Sequence, residues 1–325
     1  MKKLSILILI AVLVSILSAG SVLAEDDLIK IGILQLVEHP ALDAAYQGFV
    51  DALTEAGYTD GVNIEIDYQN AQADQSNLMT ISERFVKNKV DLILAIATPA
   101  AQAVASATTD IPILFTAVTD PVTARLVESN EVPGLNVTGT TDAGPIDKQI
   151  ALLLEMFPEF KKLGIIYNSS EINSEVQAKQ AEELAAELGI SVEFGTITSV
   201  NDIEQVAISM AGKIDGFYAP TDNTIASAMP NLVKVAEEKK LPIIGSEPGM
   251  VEGGALATVG IDYYKLGFQT GKMAERILKG ESIPAEMAVE ALTDVDVVLN
   301  QDTAKAIGFE FPQSVRDRAT RIIGE

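Results

Sequence analysis

The chain has 325 residues, 48% of them hydrophobic, and carries a formal net charge of −23. Such an acidic surface repels nucleic acid and anionic lipid, so neither is an expected partner. The chain has no cysteine, which excludes disulfides, thiolate chemistry and a lipid attached through a cysteine.

The first 24 residues have the order of a secretory leader. Lys2 and Lys3 form a basic head, residues 4–17 are almost all apolar, and Val22-Leu23-Ala24 places small residues where a signal peptidase reads the chain. The alternative, a transmembrane anchor, is disfavoured because the apolar run is short for a bilayer span. We therefore expect cleavage after Ala24 and export to the periplasm or the medium, without a lipid anchor.

From residue 28 onward the hydrophobic pattern alternates between strand and helix. In the first half, strands are predicted at 29–33, 64–68, 90–97 and 111–115, with helices at 42–53, 78–85 and 99–108. In the second half, strands are predicted at 163–167, 190–194, 214–219, 243–245 and 255–259, with helices at 174–188, 203–210 and 224–240. Apolar strands separated by amphipathic helices predict two α/β units whose parallel sheets are covered on both sides. A segment rich in Gly, Thr and Asn, 134–145, is the expected first crossing between them.

This architecture suggests a clamp. Open α/β sheets bind ligands beyond the C-terminal ends of their strands. Two units that face each other would form a cleft from those ends, and a hinge motion would close the cleft around a ligand. Fold alone does not fix function, so the assignment of a function depends on the residues that follow the strands.

The candidate ligand-binding residues lie just after predicted strands. Thr98 and Pro99 are well suited to start a helix whose free N–H groups attract an anion, although simple capping explains them equally well. Asp222 or Asn223 either caps a helix or offers a ligand an acceptor. The full set is Gln35, His39, Pro40, Leu42, Thr98, Pro99, Ala100, Thr116, Tyr167, Asn168, Asn173, Ser174, Thr221, Asp222, Asn223 and Glu247.

Enzymatic and metal sites have little support in the sequence. His39 is the single histidine, and no Asp/Glu cluster has the spacing of metal ligands. The sequence contains no nucleophile elbow, phosphate-cradling glycine motif or EF-hand loop. We expect neither a metal nor another cofactor, and no enzymatic activity.

An ordered set of motifs resembles the ABC transporter substrate-binding proteins that include the tryptophan- and tyrosine-type binders. The motifs are Gly48-Phe49, Ala56-Gly57-Tyr58, Gly61-Val62-Asn63-Ile64, Thr98-Pro99-Ala100-Ala101, Ile111-Pro112-Ile113, Asp120-Pro121-Val122, Asn136-Val137-Thr138-Gly139, Tyr167-Asn168, Pro220-Thr221-Asp222-Asn223, Thr303-Ala304-Lys305-Ala306-Ile307-Gly308, Pro312 and Arg318-Ala319. The resemblance covers nearly the whole chain after the leader. Many relatives from single-membrane bacteria are lipoproteins, and this chain departs from them because it lacks the cysteine.

The resemblance implies a type I periplasmic-binding fold with two Rossmann-like lobes joined by three crossings. Lobe 1 would comprise residues 28–138 with 264–290, and lobe 2 residues 139–263 with 291–325. It also implies a monomer that binds an aromatic amino acid and hands it to an ABC permease in the membrane. Alternatives are a sensor module for a membrane receptor, and a binder of another amino acid or small polar solute.

An α-amino acid has two charged groups that the clamp would have to hold. Residues 98–101 and Asn173-Ser174 are the expected donors to its carboxylate. Asp222 is the first choice of acceptor for its ammonium group, with Glu247 as the second. Tyr167, Pro40 and Leu42 are the expected apolar wall for an aromatic side chain.

Overall fold

The computed structural model of the protein describes residues 28–324. The predicted leader, residues 1–24, lies outside this range. Within it, no helix is both long and apolar enough to cross a membrane.

Lobe 1 is built on a six-stranded sheet in the order β2-β1-β3-β4-β5-β11, in which every pair is parallel. Its strands are β1 (Ile29–Gln35), β2 (Ile64–Asn70), β3 (Leu92–Ile96), β4 (Ile113–Val118), β5 (Val137–Thr141) and β11 (Glu290–Ala291). Its helices are α1 (Pro40–Glu55), α2 (Gln75–Asn88), α3 (Thr98–Ala107) and α10 (Tyr263–Leu278), with a 3₁₀ turn at Pro284–Glu286. The predicted lobe boundary at residue 138 falls inside β5.

Lobe 2 is built on a seven-stranded sheet in the order β7-β6-β8-β9-β10-β12-β13. Its strands are β6 (Lys162–Asn168), β7 (Ser191–Ile197), β8 (Gly216–Ala219), β9 (Ile243–Gly245), β10 (Ala257–Gly260), β12 (Asp296–Asn300) and β13 (Arg321–Ile323). Its helices are α4 (Ile146–Met156), α5 (Ile172–Glu187), α6 (Ile203–Ala211), α7 (Asn223–Ser227), α8 (Met229–Lys239), α9 (Pro248–Glu252), α11 (Gln301–Ile307) and α12 (Gln313–Arg316), with a 3₁₀ turn at Val200–Asp202.

The central strands of both sheets are buried on both faces. Every residue of β3 and β4 in lobe 1 is buried, as is every residue of β8, β9 and β10 in lobe 2. Each large apolar side chain buried in this way stabilises the fold by about 1.5–3 kcal/mol. The prediction of two α/β lobes with helices on both faces of parallel sheets is confirmed.

Two details of the prediction are wrong. The sheet of lobe 2 is mixed, because β10 and β12 run antiparallel. The single helix predicted at 224–240 is two helices, α7 and α8, separated at Ala228, which has φ −132° and ψ 32°. Pro230 accounts for the break, since proline suits the first turn of α8 but its ring and missing N–H would disrupt a continuous helix.

The chain passes between the lobes three times, after β5, after β10 and after β11. In the parallel part of each sheet, the C-terminal ends of the strands face the other lobe. The loops that leave β1, β3 and β4 therefore lie opposite those that leave β6, β8 and β9. This places the segments that carry most of the predicted ligand-binding residues on the two walls of one cleft.

Helices α1 and α10 pack at backbone distance on the outer face of lobe 1. A Cβ atom at Gly48 would overlap the carbonyl oxygen of Tyr264, and a Cβ atom at Gly267 would overlap that of Ala45. Glycine at both positions therefore lets α10, which enters from the second crossing, lie directly on α1.

Gly267→Ala should destabilise the protein by about 1–3 kcal/mol, because the two helices must separate to admit the methyl group. The matched control is Gly212→Ala, at the end of α6, where φ is −81° and nothing lies within 4 Å of the new Cβ atom. That change should be neutral or stabilising by about 0.4–1 kcal/mol. Urea unfolding of both variants measures the difference, and equal midpoints would contradict the close packing.

Candidate functional site

A small cavity lies between the lobes where the strand ends meet. It is lined from lobe 1, from the first crossing segment and from lobe 2. The lining residues are His39, Leu42, Asp142, Thr221, Asp222, Asn223, Ala226, Glu247, Met250 and Tyr263. Leu42, Ala226 and Met250 give it an apolar part, and the remaining residues give it a polar part that is rich in carboxylates.

Strained backbone at the end of β3 positions the start of α3. Ala97 has φ 84°, a conformation that costs about 1–3 kcal/mol for a residue other than glycine. It turns the chain so that Thr98 and Ala100, both buried, begin the helix, with the partly exposed Pro99 between them. The N–H groups of Thr98 and Ala100 have no acceptor within the helix, whereas Pro99 has no N–H group and that of Ala101 donates to the carbonyl of Ala97. The hydroxyl of Thr98 has no partner among the described residues. The helix start has spare donors for an anion.

Gln35 and Thr116, the other two polar candidates of lobe 1, have different environments. The Gln35 amide nitrogen donates to the carbonyl of Val37 and to Asp43, while its buried Oε1 atom has no partner among residues 28–324. Thr116 instead accepts a hydrogen bond from Thr140 on the neighbouring strand. Gln35 therefore keeps a free acceptor, whereas Thr116 is engaged within its own sheet.

Pro40 and Tyr167 lie outside the cavity. Pro40 is exposed at the start of α1 and lines a wider groove beside the cavity. Tyr167 is half-buried and packs edge-on against Phe194 of β7, with ring centroids 6.1 Å apart. Of the three residues predicted to form the apolar wall, the structure places only Leu42 among the cavity lining.

Polar side chains of α5 fix the loop that follows β8. The Asn173 amide and the Ser174 hydroxyl both donate to the carbonyl of Thr221, and Gln177 accepts from the Thr221 N–H at 2.7 Å. The buried Oδ1 atom of Asn173 has no partner among the described residues. Most of the hydrogen-bonding capacity of Asn173 and Ser174 therefore goes to shaping lobe 2.

Asp222 is engaged by backbone N–H groups. One carboxylate oxygen caps α7 through the N–H of Ile225 at 2.8 Å, and the other accepts the N–H of Asn168 at 2.6 Å. Burial, together with the neighbouring charge of Glu171, raises the pKa of Asp222. The Asn168 side chain donates to the hydroxyl of Thr224 in α7. The geometry shows Asp222 as a helix cap, which is the simpler of its two predicted roles.

Glu247 differs from Asp222 because one of its oxygens is free. Its Oε2 atom accepts the N–H of Gly249 and caps α9, whereas Oε1 is buried without a partner in the described part of the chain. Burial raises the pKa of Glu247 to about 7, and the charges of Glu252 and Asp142 act in the same direction. An ionised Glu247 in this cavity therefore lacks a donor for one oxygen.

Several residues of the site were missed by the sequence analysis, among them Asp142, Glu171 and Tyr263. Asp142, in the first crossing segment, accepts hydrogen bonds from the hydroxyls of Thr119 at 2.9 Å and Tyr263 at 2.6 Å. Burial raises the pKa of Asp142. Glu171 accepts from the backbone and side chains of Asn223 and Thr224. Glu171 and Tyr263 follow predicted strands, which was the available signal, whereas Asp142 lies in the predicted crossing segment 134–145. The convergence of all three depends on contacts between distant segments.

The carboxylates of the site have no cationic partner. Asp142, Glu171, Asp222 and Glu247 are all at most 5% exposed, and none of the ion pairs among residues 28–324 includes them. Those residues also contain no group of three or more side chains that could hold a metal ion. A cationic group of a bound molecule would thus be favoured here, because it relieves the cost of burying these charges.

Comparison with known proteins identifies the family. Residues 30–323 match the family model described as ABC transporter substrate binding protein. A tyrosine-binding protein of Clostridioides difficile (strain R20291) is 49% identical over 281 residues, which cover 86% of this chain and 81% of that protein. The ABC domain from Streptococcus pneumonia in complex with L-Trp is 41% identical, with a TM-score of 0.88, over 91% of this chain and 100% of that one.

A second solved relative was determined without a ligand. The ligand-free, open structure of a Clostridium difficile substrate binding protein with adhesive properties is 49% identical and covers 92% of this chain and 100% of its own, yet its TM-score is only 0.70. The whole chain therefore superposes less well on this ligand-free, open structure than on the L-Trp complex, although the sequence of the former is more similar. The arrangement described above is nearer that of the L-Trp complex.

The matched region contains both lobes and every residue of the cavity. Solute binding rather than catalysis is the activity of this family, so the predictions of fold, of binding function and of a non-enzymatic role are confirmed. The chain belongs to the ABC transporter substrate-binding protein family, whose members act outside the cytoplasm.

Proposed function

We propose that the protein binds an aromatic α-amino acid in the cavity between its lobes. The observation that carries this proposal is the buried, unpartnered oxygen of Glu247 in a cavity that contains several carboxylates and no cation. A relative that binds tyrosine and another that was solved with L-Trp support the choice of an aromatic ligand.

The carboxylate of the ligand would lie at the start of α3. The N–H groups of Thr98 and Ala100 have no acceptor within the helix, the Thr98 hydroxyl has no partner among the described residues, and the positive end of the helix dipole favours an anion there. The strained φ of Ala97 is consistent with a backbone shaped for binding rather than for stability alone.

The ammonium group would be held by Glu247 rather than by Asp222. Both oxygens of Asp222 already accept backbone N–H groups, so a ligand would add little to them. Glu247 has a free oxygen, and a charge-assisted hydrogen bond to it is of the stronger kind. Leu42, Ala226 and Met250 would contact the apolar side chain of the ligand.

We further propose that the loaded protein delivers its ligand, as a monomer, to an ABC permease in the membrane. A binding cleft formed by both lobes suits this role, because occupancy changes the relative position of two large surfaces that a permease can read. The family assignment supports the transport role over the sensor alternative.

Glu247→Gln should weaken binding of the preferred aromatic amino acid by at least about tenfold. Losing a buried charged partner costs about 2–5 kcal/mol, and about 1.4 kcal/mol is a factor of ten. The glutamine keeps the size of the side chain and an oxygen for the Gly249 N–H, so the fold should persist.

Isothermal titration calorimetry with tyrosine, tryptophan and phenylalanine measures the change. The control is Lys239→Ala, an exposed position on α8, which should bind as the wild type does. If one of these amino acids binds the wild type and Glu247→Gln equally well, the assignment of the ligand ammonium group to Glu247 fails. If none binds the wild type, the ligand class fails.

The stabilisation by ligand should depend on pH through Glu247. Its pKa in the folded protein is about 7, above the ordinary value of 4.5. The ligand-free protein therefore loses stability as the pH rises between these values, because the buried carboxyl must ionise. A ligand ammonium pairs only with the ionised form, so its stabilising effect is complete above about pH 7 and declines as the pH falls below that value.

The rise in melting temperature at saturating ligand should accordingly be larger at about pH 8 than at about pH 5.5. Differential scanning fluorimetry at both pH values measures it. In Glu247→Gln the difference between the two pH values should shrink. Equal rises in melting temperature at the two pH values in the wild type would exclude Glu247 as the titrating partner of the ligand.

For localisation we propose a periplasmic protein released by cleavage after Ala24, with no lipid anchor. The basic and apolar order of the leader and the absence of cysteine support this. Intact-mass analysis of the exported protein should give the mass of a chain that begins at Glu25, without added lipid. Exported protein that retains Met1 would contradict the cleavage.

A further inference from the structure

A buried network fixes the orientation of the Asn223 side chain. The carboxylate of Glu171 accepts the backbone N–H groups of Asn223 and Thr224, each at 3.1 Å. Backbone N–H groups can only donate, so these oxygens act as acceptors. The Asn223 side-chain nitrogen lies 2.6 Å from Oε2 of the same carboxylate. The reverse orientation would place two acceptors against each other, which is unfavourable.

The orientation of Asn223 in turn fixes the tautomer of His39. The Oδ1 atom of Asn223 faces Nε2 of His39 across the interface between the lobes, at 3.3 Å. An amide oxygen only accepts, so Nε2 must carry the proton. Burial lowers the pKa of His39 to about 4, which keeps the ring neutral. The Nδ1 atom is then a bare acceptor.

This acceptor has no protein partner. His39 is 7% exposed, and its Nδ1 atom has no hydrogen bond among residues 28–324. A buried acceptor left unpaired costs about 1–3 kcal/mol. A bound molecule that donates a hydrogen bond to this nitrogen would therefore gain binding free energy.

His39 and Asn223 share the cavity with three apolar side chains. Leu42 lies one turn after His39 on α1, Ala226 lies one turn after Asn223 on α7, and Met250 lines the same cavity. A charged ammonium gains more from the free carboxylate oxygen of Glu247 than from a neutral ring nitrogen. The acceptor on His39 is thus matched to a neutral donor carried on a hydrophobic group.

We propose that Nδ1 of His39 accepts a hydrogen bond from the side chain of the ligand, so that the protein selects aromatic amino acids with a phenol O–H or an indole N–H. Tyrosine and tryptophan satisfy this acceptor, and phenylalanine leaves it unpaired. The inference rests on the proposed binding of aromatic amino acids and adds a specificity-determining residue to it.

The single histidine of the chain makes a direct test possible on the wild type. Long-range ¹H–¹⁵N NMR spectra of protein without a histidine tag report His39 alone. The spectrum should show a neutral ring with the proton on Nε2 at about pH 6, since the pKa is about 4. Saturating tyrosine should shift the Nδ1 resonance much more than saturating phenylalanine. A proton on Nδ1, or equal shifts with both ligands, would overturn the proposal.

Binding constants supply the second test. The wild type should bind tyrosine at least about tenfold more tightly than phenylalanine, because the latter leaves a buried acceptor unpaired. In His39→Leu this ratio should fall below about threefold, largely through weaker tyrosine binding. 1-Methyltryptophan, which lacks the indole N–H, should lose affinity relative to tryptophan in the wild type only. Melting curves without ligand check the folding of the variant.

The outcomes separate this inference from the proposed function. If His39→Leu weakens tyrosine and phenylalanine equally, His39 contacts a group common to both, and the selectivity proposal fails while aromatic binding stands. Wild-type affinities for tyrosine and phenylalanine that agree within about threefold also overturn it. If no aromatic amino acid binds the wild type, the proposed function fails together with this inference.

Discussion

Burial of carboxylates without cations is the constraint on which the site depends. Four acidic side chains are withdrawn from water where the lobes meet, and charges in such a place are costly unless hydrogen bonds satisfy them. Glu171 and Asp222 use backbone N–H groups, and Asp142 uses hydroxyls. Glu247 has one oxygen left over. Among these four carboxylates, Glu247 is therefore the one that keeps an oxygen free for a hydrogen-bond donor from outside the described chain.

The same hydrogen bonds give the site its shape. Asp222 and Glu247 each cap the helix that follows a strand of lobe 2, so the geometry of the cleft wall is set by helix capping. Glu171 reaches across from the loop after β6 and holds the start of α7 through Asn223 and Thr224. Because these residues are locked by backbone partners, the cavity lining is preorganised and binding loses less free energy to the ordering of side chains.

The sequence was sufficient for features whose causes are local. Hydrophobic periodicity located β1 to β4, β6 to β10 and most of the helices between them, but not β5, α4 or the elements after β10. The preference of strand ends for ligand sites directed attention to Thr98, Asp222 and Glu247. It could not decide roles that depend on distant contacts. The second carboxylate oxygen of Asp222 has a hydrogen-bond donor only because Asn168 lies beside it. Tyr167 lies outside the cavity, where it packs on the neighbouring strand. Neither contact can be recognised from the local hydrophobic pattern of the sequence.

A hydrogen bond between His39 and Asn223 joins the two lobes in the cavity, and it bears on how closure is controlled. The hydrogen bond between His39 and Asn223 is long, at 3.3 Å, and a bond of this kind contributes about 0.5–1.5 kcal/mol net. Bringing the lobes together also buries the unpaired oxygen of Glu247 and the unpaired Nδ1 atom of His39, which opposes closure. A molecule that supplies hydrogen-bond partners for these groups in the closed form alone binds that form more tightly than the open form. Such a difference in affinity shifts the equilibrium between the two forms. The unpaired atoms of the cavity therefore make closure depend on occupancy.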